Sequence, residues 1–465
     1  MTWRHSKAMA LAMMVGGAGL LAGCARVDQA QDFGAMQAMV RARTGAAPAP
    51  DGTTDEATAA RVTALLAAPL GPQDAVRIAL LQNRGLRADY AGIGLAEADL
   101  LAAELPENPQ LDGAVRFPDR LYGITDVGFA LTEGVASLIL RPAHERIGKA
   151  EIAAARLHVV AAAVRLVART ETAYFRLCAA EAAAKLARAR ARDASAAAML
   201  AARMRAAGTM NALEAARLAA RAAARASAQT TAETAVAEAR AALGGLTGLS
   251  EAQMAGLRVP DRLPEVPPVA VPTGDLAGLA IRGNVDLAAL RAEAVTAAKR
   301  LGVRRDYGWL TDAQLGVGRE QNPEHYTVTG PVFQIPLPLF DHGQAARLRA
   351  AVRLRRDENT MRQTALDLRA RVAALRARLA AAAAIARRYR EHEVPLRQAA
   401  VAQAVRQYNF MLLGDFGLLA QQDAALEARA GLVTATRDYW LARAALDEAL
   451  GGGQAVAAMH GEKAA

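Results

Sequence analysis

Between Gly330 and Gln344 the chain reads GPVFQIPLPLFDHGQ and changes period in the middle. Ahead of this stretch Tyr326 and Val328 alternate with Thr327 and Thr329, the two-residue step of a strand with two different faces. Behind it, from Gly343, an Arg- and Ala-rich run of about 65 residues meets no strong breaker except Pro395. A short strand feeding so long a helix suits a chain that crosses one membrane as part of a barrel and then projects a helical tube.

The first half of the chain repeats the plan. Val127, Phe129 and Leu131 alternate with Asp126, Gly128 and Ala130, and Pro142 is predicted at a first helical position. A second helical run of about 65 residues is expected from Ala143 to Ala207. Asn83-Arg84-Gly85-Leu86 aligns with Asn284-Val285-Asp286-Leu287, and the same offset of roughly 200 residues relates the turns near Gly208 and Met411. A period of that length is a duplicated half-domain, well beyond the 20–50 residues of a solenoid repeat.

The N-terminus points to a compartment. Arg4, His5 and Lys7 precede an apolar core from Ala8 to Leu20, too short to span a bilayer as a helix, and Leu21-Ala22-Gly23-Cys24 follows. The pattern resembles a bacterial lipobox, with residues 1–23 as signal peptide and Cys24 as the acylated first residue. Ala25 resembles the pattern sorted to the outer membrane. An ordinary signal peptide with an accidental cysteine is the alternative. The only other cysteine, Cys178, sits beside Leu177 in a helical run, which suits a small packing residue and leaves no disulfide framework.

The net charge of +10 invites a nucleic-acid reading. The arginines are spread among Asp and Glu along helical faces, so a solvated helical surface is expected and no nucleic-acid partner. No Walker-type loop, no HExxH motif and no histidine ligand cluster occurs, so neither metal nor cofactor is expected and no catalysis.

Heptads run through the helices. Ile152, Val159, Leu166 and Ala173 recur every seven residues in the first half. Leu354, Met361, Leu368, Leu375, Ala382 and Tyr389 do so in the second, and Leu418, Ala425, Leu432, Tyr439 and Leu446 on the return helix. A seven-residue step gives left-handed coiled coils, and the long runs would each span roughly 100 Å. The predicted strands lie at 111–117, 126–132, 313–319 and 326–335. Four strands cannot close a barrel, since bacterial barrels need at least about eight, so several chains must pool them. Eight of the nineteen aromatic residues gather in and beside these windows, as interfacial girdles require: Phe117, Tyr122, Phe129, Tyr307, Trp309, Tyr326, Phe333 and Phe340.

Together these features resemble the TolC-like outer-membrane efflux protein family, in its lipoprotein subgroup. The residues that carry the resemblance are the lipobox at Cys24, the duplicated helix–strand–strand–helix plan and PLPLFDHGQ opening the second long helix. The turn from Tyr408 to Asp415 and the following Leu418-Leu419-Ala420-Gln421-Gln422 are also similar to the family's. The resemblance covers about residues 74–450. It implies a mostly α chain with a small membrane β-barrel portion: a homotrimer sharing a twelve-stranded barrel, continued by a long coiled-coil α-barrel in the periplasm. It also implies a passive duct working with a periplasmic adaptor and, through it, an inner-membrane pump. The tip resembles members associated with heavy-metal pumps, but metal, drug and peptide exporters share the duct and the substrate stays open.

Two helical turns would form the periplasmic mouth. Gly208 and Thr209 mark the first, where Gly208 can supply a positive φ; Phe410, Met411, Leu412 and Leu413 mark the second. Related proteins often carry Gly where this chain has Met411. The apolar second tip either docks an adaptor or seals the tip between subunits. Asp415 either forms a ring of three that favours cations or caps the following helix. The domain plan is a signal peptide at 1–23, a lipid-anchored tether at 24–73, a first repeat at 74–243, a Pro-rich linker at 244–272, a second repeat at 273–450 and a mobile tail at 451–465. The competing readings are a non-channel periplasmic coiled-coil lipoprotein or adaptor, and an envelope enzyme on a helical scaffold.

Overall fold

The structure is a computed structural model that describes residues 29–49, 55–117, 125–260, 262–269, 271–308, 313–321, 326–337 and 339–453. The signal segment, Cys24, Tyr122, Trp309 and residues 454–465 lie outside the described residues. In chain order the elements begin with helices α1 (Gln29–Thr44), α2 (Asp55–Leu66), α3 (Pro72–Gln82) and α4 (Arg84–Glu104). Strands β1 (Gln110–Arg116) and β2 (Asp126–Gly134) lead into the 72-residue α5 (Val135–Ala206) and then α6 (Ala212–Thr247). After the short α7 (Glu251–Ala255) come α8 (Leu276–Gly283), α9 (Val285–Tyr307), β3 (Gln314–Gln321) and β4 (Thr327–Gln334). Helix α10 (Gln344–Arg388) passes through a π-helical turn (Tyr389–Glu393) into α11 (Val394–Asn409), and α12 (Asp415–Ala449) returns.

The chain forms two compact units. Among the described residues, one contains those of 91–156 and 290–361, and with them all four strands; the other contains those of 33–90, 157–289 and 362–453. Helices α4, α5, α9 and α10 belong in part to each.

In the first unit the strands form one antiparallel sheet in the order β1-β2-β3-β4. All four strand windows read from the alternation are strands. Helix α5, however, begins at Val135, directly after β2, and Pro142 lies inside it rather than at its start. The reason is tertiary: Val135 N–H donates to Ala313 O at 2.9 Å, fixing the helix start beside β3. Pro142 can donate no bond to the carbonyl four residues back, and Arg141 and Pro142 at that gap are exposed. In the other long run the π turn precedes Pro395, with Val394 N–H bonding Tyr389 O, and this wider turn accommodates the missing proline donor.

The second unit has its core where Leu70, Ile78, Tyr174, Leu177, Leu243 and Leu257 meet, with Cys178 buried among them. Tyr174 Oη donates to Leu70 O at 3.0 Å. Phe175 stacks on Trp440 at 5.1 Å, and Trp440 Nε1–H donates to Pro264 O at 2.9 Å. Burial pushes the Cys178 thiol up to about 11, so it is a packing residue without thiolate reactivity. The heptad residues Ile152, Val159, Leu166 and Ala173 are all buried, as are Leu368, Ala382, Ala425, Tyr439 and Leu446.

Two asparagines make matching joints in this unit. Asn83 ends α3 and its side-chain oxygen accepts from Leu86 N–H at 2.9 Å, while its amide donates to Leu246 O at 2.8 Å near the end of α6. Asn284 ends α8, accepts from Leu287 N–H at 3.0 Å, and donates to Ala449 O at 3.2 Å at the end of α12. In both cases one side chain ends one helix, caps the next and satisfies a third helix's last carbonyls. Helix α1 joins the second of these places: Arg43 Nη1 donates to Gly283 O at 2.6 Å and to Gly451 O at 3.1 Å.

Candidate functional site

The sheet has two chemically different faces, set by the two-residue period. Odd-numbered positions make one face, and Leu111, Leu131, Val317 and Pro331 pair across all four strands in a single row. Leu111, Val115, Phe129, Leu131, Leu315, Val317 and Phe333 stand on this face with 48–72% of their surface exposed. The even-numbered face carries Ala114, Gly128, Ala130, Gly316, Gly318 and Gly330 with the charged Asp112, Arg116, Asp126 and Glu320, and Thr132, Val328 and Val332 are its three branched residues. Arg116 Nη1 donates to Asp126 at 3.2 Å and to Glu320 at 3.0 Å, bridging three strands at the loop end. A largely apolar exposed face, with Glu133 and Arg319 as its charged residues, backed by a small face with four charged ones, suits a sheet with hydrocarbon on one side and water on the other. Strands β1 and β4 are both sheet edges, each with a row of backbone groups that no other strand among the described residues pairs.

The two helical turns lie in the second unit and are built alike. Thr209 N–H donates to Met204 O at 2.9 Å and Gly208 N–H to Arg205 O at 3.0 Å. Leu412 N–H donates to Gln407 O at 2.8 Å and Met411 N–H to Tyr408 O at 2.9 Å. Gly208 has φ 77°, and Met411, at φ 56°, is the one non-glycine residue with positive φ among the described residues. The first turn is followed by a capped helix, Asn211 Oδ1 accepting from Glu214 N–H at 2.8 Å; the second has Gly414 as N-cap and no side-chain cap. Phe410, Met411 and Leu412 are 76%, 94% and 77% exposed, while Leu413 and Phe416 turn in and are half-buried. Asp415 is the first residue of α12 and accepts a hydrogen bond from the Tyr408 hydroxyl, which raises the phenol's pKa.

Sequence reasoning missed an ionic cluster that ties three helices together. Asp423 on α12 accepts from Arg190 Nε on α5 at 2.6 Å and from Arg221 and Arg225 on α6 at 2.5 and 2.8 Å. Arg190 also reaches Glu427 at 3.1 Å. Burial works to raise the Asp423 pKa, but the hydrogen bonds from Arg190 and Arg221 outweigh it and hold the carboxyl well below the usual carboxylate range. The four-residue steps Arg221/Arg225 and Asp423/Glu427 were visible in the sequence; which helix faced which was not. A second charged joint links α5 to α12. Burial, with the Asp447 carboxylate nearby, pushes Glu171 up to about 7, and Arg443 beside Asp447 only partly offsets this. Burial also raises Asp447 itself.

Among the described residues no helix is long and apolar enough to cross a membrane, and no group of three or more His, Cys, Asp or Glu side chains could hold a metal ion.

The chain thus combines long helices with a four-stranded antiparallel sheet that has one largely apolar face. The chain superposes on the CmeC outer membrane channel of Campylobacter jejuni with a TM-score of 0.68 at 16% identity, covering 82% of this chain and 86% of that one. It matches CusC, solved in a study of folding and transmembrane channel formation, with a TM-score of 0.66 at 17% identity over 82% of this chain and 92% of that one. It is also similar to the outer membrane protein VceC of Vibrio cholerae, with a TM-score of 0.65 at 18% identity over 82% and 96%. At such identities the likeness is one of fold. No protein-family model and no curated protein matches the chain.

Proposed function

We propose that the chain is the outer-membrane channel of a tripartite efflux system, a passive trimeric duct that carries small molecules or metal ions from an inner-membrane pump and its periplasmic adaptor to the outside. The observation that carries this reading is the sheet. A four-stranded sheet with an exposed apolar face and two unpaired edges is stable in a bilayer only when closed with copies of itself, because each unpaired backbone group in hydrocarbon costs several kcal/mol. Three copies give the twelve strands of a barrel. The glycine- and alanine-rich even face then lines the lumen and leaves it open, while Arg116, Asp126 and Glu320 give that lumen a charged mouth.

The matched joints at Asn83 and Asn284, and the matched turns at Gly208 and Met411, support an internal duplication over 74–243 and 273–450, connected by the Pro-rich 244–272. In the trimer the helices form the periplasmic tunnel. The turns at Gly208–Thr209 and Phe410–Leu413 form its mouth, where the exposed Phe410, Met411 and Leu412 receive the adaptor and Asp415 forms an acidic ring. Cys24 carries the lipid anchor, residues 24–73 follow it as the tether, and 451–465 form the tail. The duct needs no cofactor and performs no catalysis, since the pump supplies the energy. The one-sided apolar sheet also argues against a non-channel coiled-coil lipoprotein or adaptor, which would have no use for it. Recording in planar bilayers tests the reading: discrete single-channel steps from the purified protein support it, and a silent membrane at saturating protein would overturn it.

A further inference from the structure

The end of the sheet next to the helices differs from its loop end in a way the channel reading leaves unused. At the loop end the charged cluster is acidic in balance, Arg116 between Asp126 and Glu320. At the other end, the start of α5, the end of α9 and the start of α10 converge. Val135 N–H bonds Ala313 O, and Gly343, just ahead of α10, sits so close to Gly308, just after α9, that a Cβ there would lie 3.4 Å from Gly308 O. Each of these three helix ends carries exposed arginine: Arg141 on α5, Arg304 and Arg305 on α9, Arg349 and Arg353 on α10. With a rise of 1.5 Å per residue, Arg141, Arg304 and Arg349 all lie within about 10 Å of the helix ends that meet the sheet.

Alongside these arginines, next to the sheet, runs an apolar collar. Strand β4 stops at Gln334, but its outward alternation does not: Phe333 is followed by Ile335 and Leu337, 60% and 75% exposed. Leu339 N–H donates to Leu337 O at 2.8 Å, and Leu339 and Phe340 are 71% and 90% exposed. Exposed Leu138 and Ile139 on α5 and Tyr307 on α9 stand at the same level. The paired strands are eight residues long in β3 and β4, and at a barrel tilt they cover about 20 Å of height, less than the ~25 Å apolar band of an outer-membrane barrel. The collar supplies the missing height on one side only. Its continuity with the apolar sheet face makes lipid its occupant, and the aromatic and arginine side chains that end it are those that sit at headgroup level.

We propose that this collar and these arginines form a binding surface for anionic phospholipid headgroups in the leaflet nearer the helices, with Arg141, Arg304 and Arg349 pairing with lipid phosphate. The proposal rests on the membrane-channel reading. Its test is native mass spectrometry of the protein after reconstitution into vesicles of mixed phosphatidylethanolamine and phosphatidylglycerol. The wild type is expected to retain phosphatidylglycerol in clear excess over its share of the vesicle. The exposed triple variant R141Q/R304Q/R349Q should insert as the same oligomer with that excess reduced at least about fivefold, the worth of one arginine near a charged surface. R141K/R304K/R349K should restore most of it. Retention in vesicle proportion by the wild type, or an unchanged excess in the triple glutamine variant, overturns the proposal and leaves the channel intact. Failure of the wild type to enter vesicles overturns both.

Discussion

Met411 holds in its helical turn the place that Gly208 holds in the other: each donates its N–H three residues back, and each has a positive φ, 56° and 77°. Only glycine adopts that conformation without steric cost, and an L side chain there costs roughly 1–2 kcal/mol. The strain lies at the most exposed apolar residue of the turn, Met411 at 94%. Met411→Gly should therefore stabilise the chain by roughly 0.5–1 kcal/mol, after the greater unfolded-state entropy of glycine is subtracted. Gly208→Ala should destabilise by about 1 kcal/mol. Thermal unfolding of both variants checks the opposite signs.

The cost at Met411 is understandable if its side chain has work at the tip. Leu412→Asp places a charge in the same exposed patch without touching a core residue. It should leave the oligomer intact and abolish cross-linking between the second turn and the adaptor. Undiminished cross-linking would mean that the adaptor docks elsewhere.

Asp423 joins α5, α6 and α12 through three arginines, and its side chain is 11% exposed. Removing its charge takes this partner from Arg221 and Arg225 and leaves Arg190 only its contact with Glu427. Breaking a buried pair in this way costs about 3–5 kcal/mol, reduced here to roughly 2–3 because Arg221 and Arg225 reach solvent. Asp423→Asn should show that loss, while Glu427→Gln, at an outlying and mostly exposed carboxylate, should change stability by less than about 0.5 kcal/mol. Because the native pKa of Asp423 is depressed, its contribution is present above the unfolded value of about 3.9 and fades only as pH falls below it. Mild acid should therefore not loosen this joint.

Glu171 has the opposite sign. Its native pKa of about 7 lies above the unfolded value of about 4.3, so the folded chain binds more protons between those limits. Stability contributed at this site is fully present below about pH 4 and declines as pH rises through about 7. The wild-type melting temperature should carry a falling contribution from this site between about pH 4 and about pH 7 that levels off above it, and Glu171→Gln should flatten that slope and raise stability at the alkaline end. An equal slope in both proteins would show that the joint between α5 and α12 does not titrate in this range.

Much of the sheet was legible because its signal is local. The alternation of Val127, Phe129 and Leu131, and of Tyr326 and Val328, needs no partner to be read, and Gly208 announces its turn by residue type alone. Pro142 misled because the start of α5 is set by a hydrogen bond to Ala313, a residue far away in sequence. Met411 was marked only by its place, aligned with the Gly208 turn and standing where related proteins often carry Gly; its left-handed backbone shows in the structure, with the hydrogen bonds it shares with that turn. The Asp423 cluster was invisible for a third reason. Arginines are so frequent on these helices that no spacing distinguishes Arg190, Arg221 and Arg225 from solvated neighbours until the helices are assembled.

The central claim is that the two free edges of the sheet, β1 and β4, close against copies of the same chain. The mass of the detergent-extracted particle from the outer-membrane fraction tests it most directly. A mass three times that of a single chain is the expected result and gives the twelve strands a barrel needs. A stable monomer, with β1 and β4 still unpaired, would contradict it.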